Sequence, residues 1–195
     1  MPTDTPFGNL TPKLFWVLTL LAHANRRLEQ SAAHWTVAMS GSISHDSVEH
    51  RLTAGEAVFA MRRAADELVT LTAVLDERVK SGTYPTKPEY DSVGTAFDKR
   101  GNPKAELWAA HSWLLQTLND LANAHKHSFI DSDTTVVGQL QPCATALHLP
   151  HNDTERSEAR LYVVALDSLA KAFGAFLSDA MANFRTLTSA LSEAG

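Results

Sequence analysis

Side chains that could bind an anion or move a proton are concentrated in one stretch near the middle of the chain. The stretch 118–127 is rich in amides, charges and imidazoles: Asn119, Asp120, Asn123, His125, Lys126 and His127. Lysine attracts phosphate oxygens, and histidine exchanges protons near neutral pH. RNA cleavage requires one hydroxyl to lose a proton and another oxygen to gain one. Lys126 and His127 are therefore candidate catalytic residues.

Helical spacing separates these side chains into three groups. Asn119, Asn123 and Lys126 recur at steps of four and three and share one flank of the helix. His125 falls on the apolar stripe, and His127 lies further round. If two successive helices are antiparallel neighbours, this flank faces another polar pair.

That second pair consists of Arg62 and Asp66, four residues apart on the rim of an earlier apolar stripe. We interpret Arg62, Asp66, Asn119 and Asn123 as one network between two helices. The network either fixes the register of the helices or, with Lys126, holds a phosphate. We favour the first interpretation, since structural ion-pair networks are common.

The remaining histidines and the cysteine indicate no cofactor. Nine histidines are present, but the paired Glu-x-x-His motifs of a di-iron bundle are absent. A zinc site drawn from His125, His127, His148 or His151 is an alternative that we do not favour, and we expect no metal. We expect core positions for His111 and His125, solvated positions for His45 and His50, and a buried, inert thiol at Cys143.

Four amphipathic patterns position these residues. Apolar residues at helical spacing predict helices over 12–39, 53–81, 103–127 and 161–191. Thr53 and Glu56 have the form of a capping box at the start of the second helix, and Asn102 and Pro103 are typical of the start of the third. The stripe of the first helix includes Leu18 and Met39.

The other segments are predicted as loops and strands. Residues 1–10 have no periodicity and are expected to form a loose arm, while 83–101 form either a covering flap or a mobile loop. Alternating β-branched and apolar residues predict a hairpin of 134–137 with 144–149, and residues 161–164 could be a third strand. The expected fold is a single, mainly α domain spanning 1–195. It is a four-helix antiparallel bundle with the hairpin inserted between helices three and four.

Composition limits the partners and the compartment. The net charge of −5 and the pI near 6.0 give no DNA-binding signature and argue against an anionic membrane surface. The apolar segment 14–24 is interrupted by Thr19 and His23 and is shorter than a membrane span. A single cysteine and the lack of an evident signal peptide favour the cytoplasm. Trp16 on the outer face of the first helix and Trp108 at the edge of the third indicate either a homodimer surface or the rim of one core.

The residues around Arg62 and Lys126 resemble a family of uncharacterised bacterial helical proteins related in fold to the HEPN superfamily. The resemblance covers roughly residues 56–130. Its helix motif matches Arg62, Ala64, Asp66 and Leu68, and its second segment matches Asn123, Lys126 and His127, after a loop with Tyr84 and Pro85. Four positions depart from the pattern: Arg63, Ala65, Glu67 and Ser128.

Catalytic HEPN ribonucleases carry an arginine and a histidine a few residues apart late in the fold. The pair Arg27 and His34 has that spacing, but it lies in the first helix and Leu28 follows the arginine. The resemblance therefore implies a protein that acts through binding, and we expect it to form a homodimer. The alternatives are a ribonuclease of the toxin or phage-defence kind using Lys126 and His127, and a metal-binding helical bundle.

Overall fold

A computed structural model describes residues 1–40, 45–98, 100–127, 139–148 and 159–193, without the side chain of His127. The described chain is mainly helical with one small antiparallel sheet, as the sequence predicted. Its elements are, in order, α1 Thr11–Met39, α2 His45–Ser81, a 3₁₀ turn Val93–Thr95, α3 Glu106–Ala109, α4 Ser112–His127, β1 Cys143–His148, β2 Arg160–Ala165 and α5 Leu166–Glu193. Among these residues no helix has the length and apolar character to cross a bilayer.

Helix α1 packs antiparallel against α2 through a narrow seam. Its bounds agree with the predicted helix. In α1 and the residue before it, the fully buried side chains recur every seven positions and define this seam: Leu10, Val17, Ala24 and Ser31. Lys13 approaches Glu67, and His34 approaches Asp46, so the two helices run in opposite directions. Leu18 and Met39, which we expected in the buried stripe, are 51% and 57% exposed because they lie off this seam or at its end.

Helix α2 begins eight residues before the predicted capping box, so the predicted start of this helix at Thr53 is wrong. The Thr53 hydroxyl donates to the carbonyls of Glu49 and His50, at 2.6 and 3.1 Å, and therefore lies inside the helix. Contacts with α1 stabilise the added turns, since His50 lies 2.8 Å from the Ser31 hydroxyl. Sequence periodicity cannot reveal such a contact.

Small residues make α2 the central element of the core. The single predicted stripe accounts for residues such as Met61, Ala65 and Leu68, but the helix is also buried on other sides at Ala54, Ala57, Ala60, Ala64 and Ala73. A methyl side chain lets neighbouring helices approach closely. Helices α1, α4 and α5 and strand β1 all pack against α2, and the buried apolar residues form one cluster from Leu10 to Leu187.

The segment between α2 and α3 folds onto this core, which favours the covering flap over the mobile loop. Tyr90, Val93 and Ala96 are buried, and the backbone N–H of Lys104 donates to the carbonyl of Ala96 at 2.9 Å. The Asn102 side chain donates to Asp98 at 3.0 Å. Asn102 closes a turn and does not cap a helix, so the predicted start of the third helix is wrong.

The predicted third helix is divided into α3 and α4. The break at Ala110 and His111 lets Trp108 fill the core, where it is 0% exposed. The Nε2 atom of His111 lies 2.9 Å from Asp179 on α5. The interpretation of Trp108 as part of a dimer surface is therefore wrong, whereas Trp113 and Trp16 are 54% and 46% exposed.

The two described strands pair antiparallel, with Ala146 opposite Tyr162 and His148 opposite Arg160. The strand predicted at 144–149 is confirmed as β1 over its described residues 144–148, and the alternative strand at 161–164 is confirmed as β2. The predicted partner 134–137 lies outside the described residues. Residues 1–10, expected as a loose arm, contain a turn closed by Thr5 and Gly8 and contribute Leu10 to the core.

Candidate functional site: a polar cluster between α2, α4 and β2

Arg62 and Asp66 form the centre of a half-buried polar cluster. Their side chains are 18% and 21% exposed, and one guanidinium nitrogen of Arg62 donates to Oδ2 of Asp66. The other carboxylate oxygen accepts a hydrogen bond from the backbone N–H of Val93 at 2.7 Å. Asp66 therefore joins its own helix to the 3₁₀ turn, and both of its oxygens have donors.

The hydrogen bonds continue from α2 to α4 and β2. Nη2 of Arg62 donates to Oδ1 of Asn119 at 3.1 Å, and the amide of Asn119 approaches Asp120 at 3.3 Å. Asp120 in turn accepts a hydrogen bond of 2.5 Å from the Tyr162 hydroxyl. We call Arg62, Asp66, Asn119, Asp120 and Tyr162 the polar cluster. It connects the 3₁₀ turn, two helices and one strand.

Gly94 permits this close assembly. A Cβ atom at position 94 would lie 3.2 Å from Oδ1 of Asn119, closer than most such contacts. The glycine is needed here for space, because its φ angle is not positive. The turn can therefore approach the amide that accepts from Arg62.

Burial and charge both disfavour an anion site at the polar cluster. Burial lowers the pKa of Arg62 from its ordinary value, and its guanidinium already donates to Asp66 and Asn119. The cluster contains two carboxylates and one guanidinium. Burial, and next the hydrogen bond to Asp120, raise the pKa of Tyr162, so this hydroxyl stays protonated and donates. A phosphate would meet excess negative charge and a guanidinium that is already paired.

His148 borders the cluster on β1. Its Nδ1 atom is 4.0 Å from Oδ2 of Asp120, an ion-pair distance that is too long for a hydrogen bond. His148 shares a face of the sheet with Tyr162, because Ala146 is opposite Tyr162 and strand residues alternate between faces. The carboxylate of Asp120 thus faces two residues of the sheet.

The structure brings together only part of the predicted site. Arg62, Asp66 and Asn119 meet, as the antiparallel arrangement of α2 and α4 predicted. Asn123 is half-buried and Lys126 is exposed, and no hydrogen bond or ion pair within the described residues connects either to the cluster. His127 ends α4, and its side chain lies outside the described residues.

Sequence reasoning missed the roles of Asp120, Tyr162 and His148. Asp120 is adjacent to a predicted residue, but helical spacing directs it to another side of α4. Tyr162 is 42 residues from Asp120 along the chain, so only the position of the hairpin brings the two together. One sequence signal could have indicated Tyr162: residues alternate between the two faces of a strand, so Arg160, Tyr162 and Val164 share the face of β2 that is towards the cluster.

A second buried polar contact lies between α1 and α2. Ser31 is 0% exposed, and its hydroxyl donates to the carbonyl of His50 at 3.0 Å. Burial lowers the pKa of His50, while hydrogen bonds to backbone groups of Ser31 and Cys143 act in the opposite direction. The expectation of a solvated His50 is wrong, because the longer α2 places it against α1. His45 is 81% exposed, as expected.

The other predicted core positions are confirmed in part. His111 is 9% exposed and packs edge-on against Phe176, with 5.5 Å between ring centroids. His125 is half-buried and lies 6.2 Å from the ring of Phe59. Cys143 is buried, and burial raises its pKa, which disfavours the thiolate.

The described residues contain no group of three or more histidine, cysteine, aspartate or glutamate side chains that could hold a metal ion. Of the candidate zinc ligands, His125 and His148 are described, whereas His151 and the side chain of His127 are not. Comparison of the chain with protein-family models, curated proteins and solved structures gives no match.

Proposed function

We propose that this protein is a HEPN-like helical protein that acts by binding and associates as a homodimer through α1. A four-helix antiparallel bundle is the scaffold of this proposal, supported by the opposed directions of α1 and α2 and of α2 and α4. The polar cluster fixes the register of that scaffold. The observation that carries the proposal is the apolar outer face of α1.

Helix α1 packs against α2 and leaves its other side open. Phe15 and Leu18 are 65% and 51% exposed, and Val37 is 46% exposed further along. With Ala22 and Ala33, which are also exposed, these residues share the side of α1 opposite the seam. Apolar residues on one exposed helix face are typical of an interaction surface.

The charges on this face fit a second copy of α1 in antiparallel orientation. Arg26 and Glu29 are exposed and lie between the two apolar groups. A twofold axis between them places Arg26 of each copy near Glu29 of the other. The same register places Leu18 opposite Val37, and Ala22 opposite Ala33. An interface around a twofold axis must be complementary to itself in this way.

Light scattering after size-exclusion chromatography tests the association. We expect the unmodified protein to be a dimer and Leu18→Glu to be a monomer. Leu161→Glu is the matched control, since Leu161 on β2 is 55% exposed and should leave the dimer intact. A monomeric unmodified protein at micromolar concentration overturns the homodimer.

A charge exchange tests the register separately. Arg26→Glu and Glu29→Arg should each weaken dimerisation, because each places like charges opposite one another. The double variant should restore it. If the single variants dimerise as the unmodified protein does, the antiparallel α1 pair is wrong even where a dimer is observed.

The exposure of Lys126 favours a ribonuclease as the second candidate function. Lys126 projects into solvent from the last turn of α4, next to His127 in sequence. A cation at that position can contact an RNA phosphate while a neighbouring imidazole exchanges protons. Arg62 takes no part in this version, because it is half-buried and both of its terminal guanidinium nitrogens donate within the polar cluster.

An assay of purified protein on mixed single-stranded RNA tests the second candidate. Cleavage should occur in the unmodified protein and be lost in His127→Ala and Lys126→Ala. Lys87→Ala is the control, since Lys87 is an exposed lysine in a loop remote in sequence from α4. Intact RNA, or cleavage that survives His127→Ala, rejects the ribonuclease.

A further inference from the structure

A cavity of about 400 Å³ opens where the N-terminal arm meets the ends of α2 and α5. None of its lining residues belongs to the polar cluster or to the outer face of α1. Its volume is within the range of sites that bind small organic molecules, about 300–1,000 Å³. The residues that give the cavity its chemistry are Asp4, Arg78, Tyr84, Thr188, Leu191 and Ser192.

Arg78 provides a positive charge on one wall. Its guanidinium carbon lies 5.5 Å from the centroid of the Tyr84 ring, which orients the cation. Within the described part of the chain, no ion pair joins Arg78 to a carboxylate, although Asp4 lines the same cavity. A half-buried guanidinium that is stacked but not ion-paired retains donors for a carboxylate ligand.

The wall formed by α5 provides acceptors. The Thr188 hydroxyl donates to the carbonyl of Phe184 at 2.7 Å, and the Ser192 hydroxyl donates to the carbonyl of Thr188 at 3.0 Å. Because these protons are already used, the hydroxyl oxygens can only accept from a ligand. Asp4 adds a carboxylate, while Leu191 and the ring of Tyr84 are apolar.

We propose that this cavity binds a small zwitterion of the amino-acid class with an apolar side chain. Its carboxylate pairs with Arg78. Its ammonium group donates to Asp4 and to the hydroxyls of α5, and its side chain lies against Tyr84 and Leu191. This assignment pairs each charged group of the ligand with a lining residue of opposite charge, and it does not depend on the proposed homodimer.

Titration with three related probes, followed by ¹H–¹⁵N NMR, tests the assignment. L-Phenylalanine has both charged groups, 3-phenylpropionate lacks the ammonium, and phenethylamine lacks the carboxylate. We expect phenylalanine to bind most tightly and to shift the amides of Gly82, Thr188 and Ser192. Phenethylamine should lose about tenfold or more in affinity, the usual effect of losing a charge-assisted hydrogen bond.

Two variants assign the loss to particular walls. Arg78→Gln should weaken the binding of phenylalanine and of 3-phenylpropionate about tenfold. The control is Lys80→Gln, which removes a charge two residues away, at an exposed pair with Asp76. This variant should bind both probes as the unmodified protein does. Thr188→Val should weaken phenylalanine but not 3-phenylpropionate. No shifts up to the solubility limit of phenylalanine, or equal losses in the Arg78 and Lys80 variants, overturn the site.

Discussion

The two sides of α2 use polar residues in different ways. Towards α1, the buried seam carries the contact and the ion pairs lie at its margins: Arg27 and Glu56 are 2.7 Å apart, with side chains 32% and 49% exposed. Towards α4, Arg62 and Asp66 are about 20% exposed and bond to two further elements. The same residue types therefore have a marginal role on one side and a connecting role on the other.

Exposure to solvent determines how much each ion pair is expected to contribute to the stability of the fold. A charge pair in water gains little because water solvates the separated groups almost as well. A half-buried pair gains more from its hydrogen bonds, and breaking it leaves one partner unpaired. The comparison predicts large effects from substitutions in the polar cluster and small ones at the margin of α1.

The largest effect on stability is expected for Asp66→Ala. The substitution leaves the Arg62 guanidinium and the N–H of Val93 without their carboxylate acceptor. We expect the free energy of unfolding, measured with urea, to fall by about 1–3 kcal/mol.

Asp76→Ala is the matched control for Asp66→Ala. Asp76 pairs with Lys80 on the same helix at the same spacing of four, but the side chain of Lys80 is 68% exposed. We expect a loss of roughly 0.5 kcal/mol or less. Equal losses in the two variants would mean that the polar cluster is no more important to stability than a surface pair.

The next effect is expected for Tyr162→Phe, which removes only the hydroxyl that donates to Asp120. The free energy of unfolding should fall by about 1 kcal/mol, the net contribution of one hydrogen bond, or somewhat more because the acceptor is charged. Tyr84→Phe is the control, since Tyr84 contacts Arg78 through its ring. If Tyr162→Phe leaves the free energy of unfolding unchanged, the hydrogen bond from the hairpin to the polar cluster does not contribute to stability.

The sequence predicted the regular parts of this fold because they follow from local patterns. The period of apolar residues located α1 and most of α5, and the spacing of Arg62 and Asp66 identified their pair. The meeting of Arg62 with Asn119 followed from one further step, the antiparallel packing of two consecutive helices. Each of these inferences depends on neighbours along the chain.

The parts that could not be predicted depend on distant contacts. The early start of α2 depends on His50 meeting Ser31, and the break before α4 places His111 beside Asp179, 68 residues away. Tyr162 reaches Asp120 only because β1 positions β2. A hydrophobic period contains no information about which polar side chain a distant element will present.

On the side of α2 that faces α1, the pH dependence of stability tests the buried contact of His50. The expected change in the free energy of unfolding is smaller than for the substitutions in the polar cluster. Burial lowers the pKa of His50 below 6.5, its value in an unfolded chain. The unfolded chain therefore takes up a proton first as the pH falls, and the free energy of unfolding decreases below about pH 6.5. This loss continues until folded His50 is itself protonated, and well above pH 6.5, where His50 is neutral in both states, it contributes no pH dependence.

Urea unfolding at a series of pH values between about 5.5 and 7.5 measures this effect. As the pH falls, the free energy of unfolding of His50→Gln should decrease less steeply than that of the unmodified protein. For His45→Gln, a substitution at an exposed position, it should decrease as steeply as for the unmodified protein. If His50→Gln and the unmodified protein have parallel profiles, His50 does not titrate differently in the two states.

The smallest effect is expected at Arg27 and Glu56. A double-mutant cycle with Arg27→Gln and Glu56→Gln should give a coupling energy of about 0.2–1 kcal/mol, and added salt should reduce it. The corresponding cycle with Arg62→Gln and Asp66→Asn should give a larger coupling that responds less to salt, because burial excludes counterions. A coupling at Arg27 and Glu56 as large as that at Arg62 and Asp66 would contradict the distinction between the two sides of α2, since solvent exposure would then not determine the strength of these pairs.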